Sequence, residues 1–242
     1  MPVSLKDQVA LVVGASSGVG RATAVLLARD GAKVMAAARR EDRLAALKAE
    51  MAAQGHTLET LVADAASLDS MERLTDATRR TFGPVDIMVY VAGMNTPDRY
   101  LRRLRPAIWD EMMAINLNGA YYITQAVLPA MREARHGHLI YVSSISGHTP
   151  DASGVAYQAG KRALIGLAHG IRMEEKENHI RTTVVCPGLI DTEFIDKRPV
   201  KPTAEQRAQA MTSENVAEAI LACAKLPPRA VITELTVVPL EL

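Results

Sequence analysis

The opening Val9-Ala-Leu-Val-Val13, followed by Gly14-Ala-Ser-Ser-Gly18-Val-Gly20, narrows the possible folds more than any other stretch. A short apolar run ending at a glycine cluster reads as a buried strand entering a tight turn. Ala22, Val25, Leu26 and Leu27 then recur at helical spacing before Gly31, so the unit is strand, turn, helix. Glycines end strands in many proteins. They also let the backbone approach a pyrophosphate held at a helix N-terminus, and on that reading Gly14, Ser16, Ser17, Gly18, Val19 and Gly20 are candidate dinucleotide contacts.

The alternation continues to the end of the chain. Strands are expected at 33–38, 57–62, 85–91, 138–142, 180–186 and 231–238. Helices are expected at 41–54, 68–82, 109–116, 120–134 and 156–176. Asn116-Leu-Asn118-Gly119 joins the third and fourth of these, Pro129 bends the fourth, and a short helix capped by Ser213 and Glu214 follows near the C-terminus. Strands alternating with helices give an α/β fold built on a parallel sheet of about seven strands. A chain of 242 residues, 48% of them hydrophobic, supports one large core, so a single domain over 1–242 is expected, with a polar lid at about 190–212 that lacks an apolar periodicity.

Composition removes several functions. A net charge of +1 and 4% aromatic residues leave neither the electrostatics nor the stacking platforms that nucleic acid needs. Cys186 and Cys223 are not spaced for a metal, and the six histidines show no ligand arrangement, so no metal is expected. The start Met1-Pro-Val-Ser-Leu-Lys lacks a signal peptide's apolar region, and no run approaches a membrane span, which reads as a soluble cytoplasmic protein.

The chemistry concentrates at Ser143-Ser144 and at Tyr157-Gln-Ala-Gly-Lys161. Four residues apart on a helix, Tyr157 and Lys161 share a face, and a neighbouring ammonium favours phenolate. Tyr157 is therefore a candidate proton-transfer group, with Ser144 able to hydrogen-bond the same substrate oxygen. Asn116 either orients a water beside Lys161 or caps a helix. Arg39-Arg40 end the second strand where a dinucleotide site often carries an acid for the ribose 2′-OH; a guanidinium there selects the 2′-phosphate of NADP over NAD, and Arg39 is favoured over Arg40. Asp64, followed by Ala65, reads equally as an adenine contact or a turn residue. Ala92-Gly93 end the fourth strand at the carboxyl edge of the sheet, where the crevice of such folds lies.

Taken together these residues resemble the short-chain dehydrogenase/reductase family over nearly the whole chain. Gly14, Gly18 and Gly20 match the family's turn; Asn116, Ser144, Tyr157 and Lys161 match its catalytic set, the Ser144 to Tyr157 separation choosing Ser144 over Ser143. Pro187-Gly188, Ile190 and Thr192 resemble its nicotinamide-carboxamide segment. The resemblance implies a Rossmann-type doubly wound sheet and an NADP-dependent exchange of hydride with a small carbonyl or alcohol. It also implies a homodimer or homotetramer. Lys161 would lower the Tyr157 pKa and hold the ribose. Met94, Asn95, Ser146, His148 and Leu189 would line the substrate pocket beneath the lid, whose Lys197, Arg198 and Lys201 either favour an acidic substrate or, as lid charges more often do, face solvent. Two departures stand out. Val13 replaces a threonine, and Tyr90-Val91 replaces an Asn-Asn pair, which suggests that a Val13–Val91 contact substitutes for a polar tie. The altered segment is also what a catalytically silent NADP(H)-binding regulator would carry; an epimerase or dehydratase is a further rival.

Overall fold

A computed structural model describes residues 3–241. Its strands are β1 (Val9–Val13), β2 (Lys33–Ala38), β3 (Leu58–Val62), β4 (Ile87–Tyr90), β5 (Gly137–Val142), β6 (Ile180–Pro187) and β7 (Glu234–Val237). All pair in parallel in one sheet, in the order β3-β2-β1-β4-β5-β6-β7. The order reverses between β1 and β4, which opens a crevice at the carboxyl edge there. Apolar residues on both faces are what a parallel strand covered by helices requires, and β1 and β5 are buried at every position.

The helices are α1 (Gly18–Arg29), α2 (Glu41–Ala53), α3 (Leu68–Phe82), α4 (Pro106–Met113), α5 (Gly119–Ala134), α6 (Val155–Glu175), α7 (Ala204–Gln209) and α8 (Ser213–Ala224). One face of the sheet, with Ala10, Val12, Val34 and Val89, packs against α1, α2 and α8. The other, with Leu11, Met35, Met88 and Tyr141, packs against α3, α5 and α6. Each fully buried Leu, Val or Ile in these layers contributes about 1.5–3 kcal/mol.

The structure corrects three local expectations. Val13 lies in the second core layer and Val91 packs against the first, so their side chains occupy opposite faces of the sheet and form no tie. The strand ends are joined by backbone instead: the Val91 and Ala92 amides both donate to the Val13 carbonyl, at 2.9 and 3.0 Å. The stretch 114–118 does not break the helix but continues from α4 into α5 as a π-helical turn. The cap of α8 is Thr212, in a reciprocal box with Asn215, rather than Ser213 and Glu214. The expected lid segment, 190–212, has secondary structure of its own. It holds a 3-10 turn at Ile195–Lys197 and helix α7, and its base is closed by a bridge between Ile190 and Met211.

Candidate active site

The carboxyl edge of the sheet frames a cavity of about 650 Å³, walled by the turn after β1, the ends of β2, β4, β5 and β6, the N-terminal part of α6 and the segment 190–198. All the residues expected to touch cofactor line it: Gly14, Ser16, Ser17, Gly18, Val19, Gly20, Arg39, Arg40, Asp64, Ala65, Ala92, Gly93, Pro187, Gly188, Ile190 and Thr192, together with Ser144, Tyr157 and Lys161. Of the expected substrate contacts, Asn95, Ser146 and Leu189 line the cavity, whereas Met94 and His148 do not.

The glycine turn is fixed by space. Gly14 has φ +101°, and a Cβ on it would lie 2.6 Å from the Ala92 amide nitrogen; one on Gly20 would lie 2.2 Å from the Gly14 carbonyl oxygen. Helix α1 starts here with no side-chain cap on its first amides and no acid in its first turn, which leaves its positive end facing the cavity. This arrangement suits a dinucleotide pyrophosphate.

The two arginines after β2 separate. Arg40 donates through Nε and one terminal nitrogen to Ser16 Oγ, at 3.0 and 2.9 Å, and also to Ser17 Oγ; its other terminal nitrogen meets Glu193 at 2.7 Å. Arg39 is exposed and has no side-chain hydrogen bond among the described residues. Of the two, Arg40 is the guanidinium aimed at the glycine turn. Glu193, which the sequence did not single out, also bonds Arg43, and its carboxyl is pulled down to about 2, first by the Ser17 hydroxyl and then by Arg40. A carboxylate seated on Arg40, Arg43 and Ser17 marks a pocket shaped for an anion. Asp64 is exposed at the cavity rim and accepts the Ala66 amide at 3.0 Å, as a turn residue does.

At the other end, α6 carries Tyr157 and Lys161 on one face, with Nζ 5.8 Å from the ring centroid. Lys161 is 3% exposed and donates to the Val142 carbonyl at 2.9 Å; burial pushes it down to about 8. Burial pushes the Tyr157 phenol up to about 12, against the pull of the Ser144 hydroxyl and the charges of Arg198 and Arg99. Crowding around the phenol outweighs these charges, and the Lys161 ammonium is turned toward a backbone carbonyl. Ser143 donates to the Lys161 carbonyl at 2.8 Å and is structural; Ser144 Oγ donates to Ser146 Oγ at 3.2 Å and accepts the Ser146 amide at 3.1 Å. Asn116, wholly buried in the π turn, caps no helix. Its amide accepts from Met94 N at 2.8 Å and donates to Met94 O at 3.0 Å, so the side chain clamps the segment after β4. The π turn is itself held by Tyr90, whose hydroxyl donates to the Ile115 carbonyl. Phe194 stands 5.9 Å from the Tyr157 ring, centroid to centroid.

Away from the cavity, His148, Cys186 and Glu234 bring ligating atoms within 4.8 Å of one another, a grouping the separate spacings of cysteines and histidines did not reveal. His148 and His169 approach the two Glu234 oxygens at 2.7 and 3.4 Å, so the carboxylate is shared between two imidazoles.

Comparison with known proteins agrees with this geometry. Residues 8–202 match the family model described as short chain dehydrogenase. The chain belongs to the short-chain dehydrogenase/reductase family. It is 31% identical over 235 residues to an uncharacterized oxidoreductase of Staphylococcus aureus strain N315, covering 97% of this chain and 98% of that one. Among solved structures it resembles a metagenomic short-chain oxidoreductase in complex with NADP (TM-score 0.85, 31% identity, 98% of both chains). It also resembles an alcohol dehydrogenase from the archaeon Thermococcus sibiricus complexed with 5-hydroxy-NADP (TM-score 0.87, 28% identity, 97% of both chains). As a member of the family this chain is a nicotinamide-dependent oxidoreductase acting on CH–OH or C=O groups of small molecules. No described helix is long and apolar enough to cross a membrane.

Proposed function

We propose that this oxidoreductase prefers NADP and uses Tyr157 as its acid/base on a small carbonyl or alcohol. The observation that carries the reading is a single cavity holding Tyr157, Ser144 and Lys161 at one end and an arginine-and-serine anion pocket at the other. Bound NADP supplies the nicotinamide carbon that gives or takes the hydride. Tyr157 is a neutral phenol at neutral pH and so carries the proton that a carbonyl being reduced takes up. Ser144 hydrogen-bonds the same substrate oxygen. Lys161, anchored by the Val142 carbonyl, keeps its remaining ammonium protons for the ribose hydroxyls. Asn116 positions rather than reacts, by clamping the Met94 backbone next to Ala92 and Gly93.

Arg40, with Ser16 and Ser17, takes the 2′-phosphate in place of Glu193, and Arg39 flanks it. Ala65 and Asp64 border the adenosine; Pro187, Gly188, Ile190 and Thr192 border the carboxamide. The whole chain works as one domain with 190–212 as its lid, assembles as a homodimer or homotetramer, and acts in the cytoplasm. The test is consumption of NADPH and of NADH against a panel of small ketones. A kcat/KM at least about tenfold higher with NADPH is expected from charge-assisted bonds to the phosphate; a preference for NADH contradicts the cofactor assignment.

A further inference from the structure

At the Tyr157 end the cavity contains a buried cation with no counter-ion. Arg99 is 4% exposed, yet it takes part in no ion pair among the described residues. A guanidinium has five N–H donors. Arg99 uses one, on Nε, for the Thr96 carbonyl at 3.0 Å and one, on a terminal nitrogen, for the Lys197 carbonyl at 2.7 Å. Both partners are neutral, and Arg99 lines the cavity, whose wall there also includes Lys197 and Arg198.

The acids nearby are already engaged. Asp151 accepts Ser146 Oγ at 2.6 Å and Ser153 Oγ at 3.1 Å on one oxygen, and the Ser153 amide at 2.8 Å on the other. Glu193 is bound to Arg40 and Arg43 at the opposite end. Burial, and after it Arg198, disfavours the charge on Arg99, with Tyr100, Tyr157 and Asp151 acting the other way, and both arginines act electrostatically on Tyr157. Two like charges that crowd one cavity wall beside the reacting group disfavour each other until an anion joins them.

We propose that the substrate carries a carboxylate, bound by Arg99 with support from Arg198, so that the enzyme interconverts a small hydroxy acid and its oxo acid. The inference rests on the oxidoreductase reading above and names the substrate class for that same site. Each oxidation removes two electrons and one proton from the carbinol as hydride to NADP⁺. The hydroxyl proton passes to the Tyr157 oxygen as the phenol releases its own proton to water, and the carboxylate is unchanged.

The test pairs short-chain 2-, 3- and 4-hydroxy acids with their methyl esters, each assayed with NADP⁺. The acid of the best pair is expected to exceed its ester in kcat/KM by about ten- to a hundredfold, the range lost with one charged hydrogen bond. Arg99→Met should collapse that ratio mainly through KM, and Arg99→Lys should restore part of it. Should Arg99→Met fail to fold, inhibition of the unaltered enzyme decides: butyrate competes with the substrate and butyramide does not. Esters turned over as well as acids, with butyrate no better an inhibitor than butyramide, would overturn the carboxylate site and leave Arg99 as a strap on the Lys197 carbonyl, with the Tyr157 chemistry intact. No turnover of any acid or ester, and none of the parent ketones with NADPH, would instead remove the oxidoreductase reading beneath it.

Discussion

Tyr157 and Arg40 both hold side chains where local sequence and surroundings pull in different directions. The four-residue step from Tyr157 to Lys161 was legible, because helical geometry alone puts them on one face. The resulting pKa was not, since it depends on Arg99, Arg198, Asp151 and on crowding that no spacing encodes. Arg40 is similar: the basic pair after β2 was visible, but which arginine turns to Ser16 and Ser17 is set by the path of the chain into α2. Arg40→Met should therefore weaken NADP⁺ binding by about ten- to a hundredfold while NAD⁺ binding changes little, as isothermal titration would read. Equal losses for both cofactors would mean that Arg40 supports the turn without meeting the phosphate. Glu193→Gln should have the opposite sign, tightening NADP⁺ because the competing carboxylate on Arg40 and Arg43 loses its charge.

Among the elements, the π turn between α4 and α5 is the one the sequence disguised. Asn116-Leu-Asn118-Gly119 looks like a helix break, yet the chain continues, and Gly119 has its small size for a reason: a Cβ there would lie 2.3 Å from the Ala65 carbonyl and 2.4 Å from the Tyr90 hydroxyl. Tyr90 was read as a departure from the family pattern, and it is the group that reaches across to the Ile115 carbonyl. Tyr90→Phe should cost about 1–3 kcal/mol in urea unfolding, the penalty for a buried polar group that loses its partner, and should lower turnover by loosening the Asn116 clamp. Unchanged stability would show that the carbonyl finds another donor.

A second element contact joins α5 to the end of α6, where Glu175, 2% exposed, accepts from Arg132 and from Asn178. The Arg132 hydrogen bonds hold its carboxyl below the usual glutamate range. A depressed folded-state pKa contributes stability above the unfolded value of about 4.3, and that contribution disappears as pH falls through the folded value. Glu175→Gln should consequently lower Tm at pH 7, and the gap from the parent protein should close below about pH 4. A gap that stays constant with pH would assign the loss to packing alone.

On the scale of the molecule, the order of elements was readable from periodicity, because strands buried on both faces and helices buried on one leave different apolar patterns. The parallel sheet and its crevice between β1 and β4 follow from that alternation. Contacts between polar residues far apart in the chain were not readable: Arg40 with Glu193, Arg99 with the Lys197 carbonyl, and His148 with Glu234. Pattern reports which side is buried, but it does not tell which charges meet across a crevice. The central claim is that the crevice binds NADP(H) and that the Tyr157 phenol moves the proton, and one paired measurement tests it most directly. NADPH affinity by fluorescence and single-turnover reduction of a ketone substrate would be compared in the parent enzyme and in Tyr157→Phe. We expect the variant to bind NADPH with a Kd within about threefold of the parent while its reduction rate falls by about 10²–10⁴-fold; a variant that keeps a near-parental rate would contradict the account.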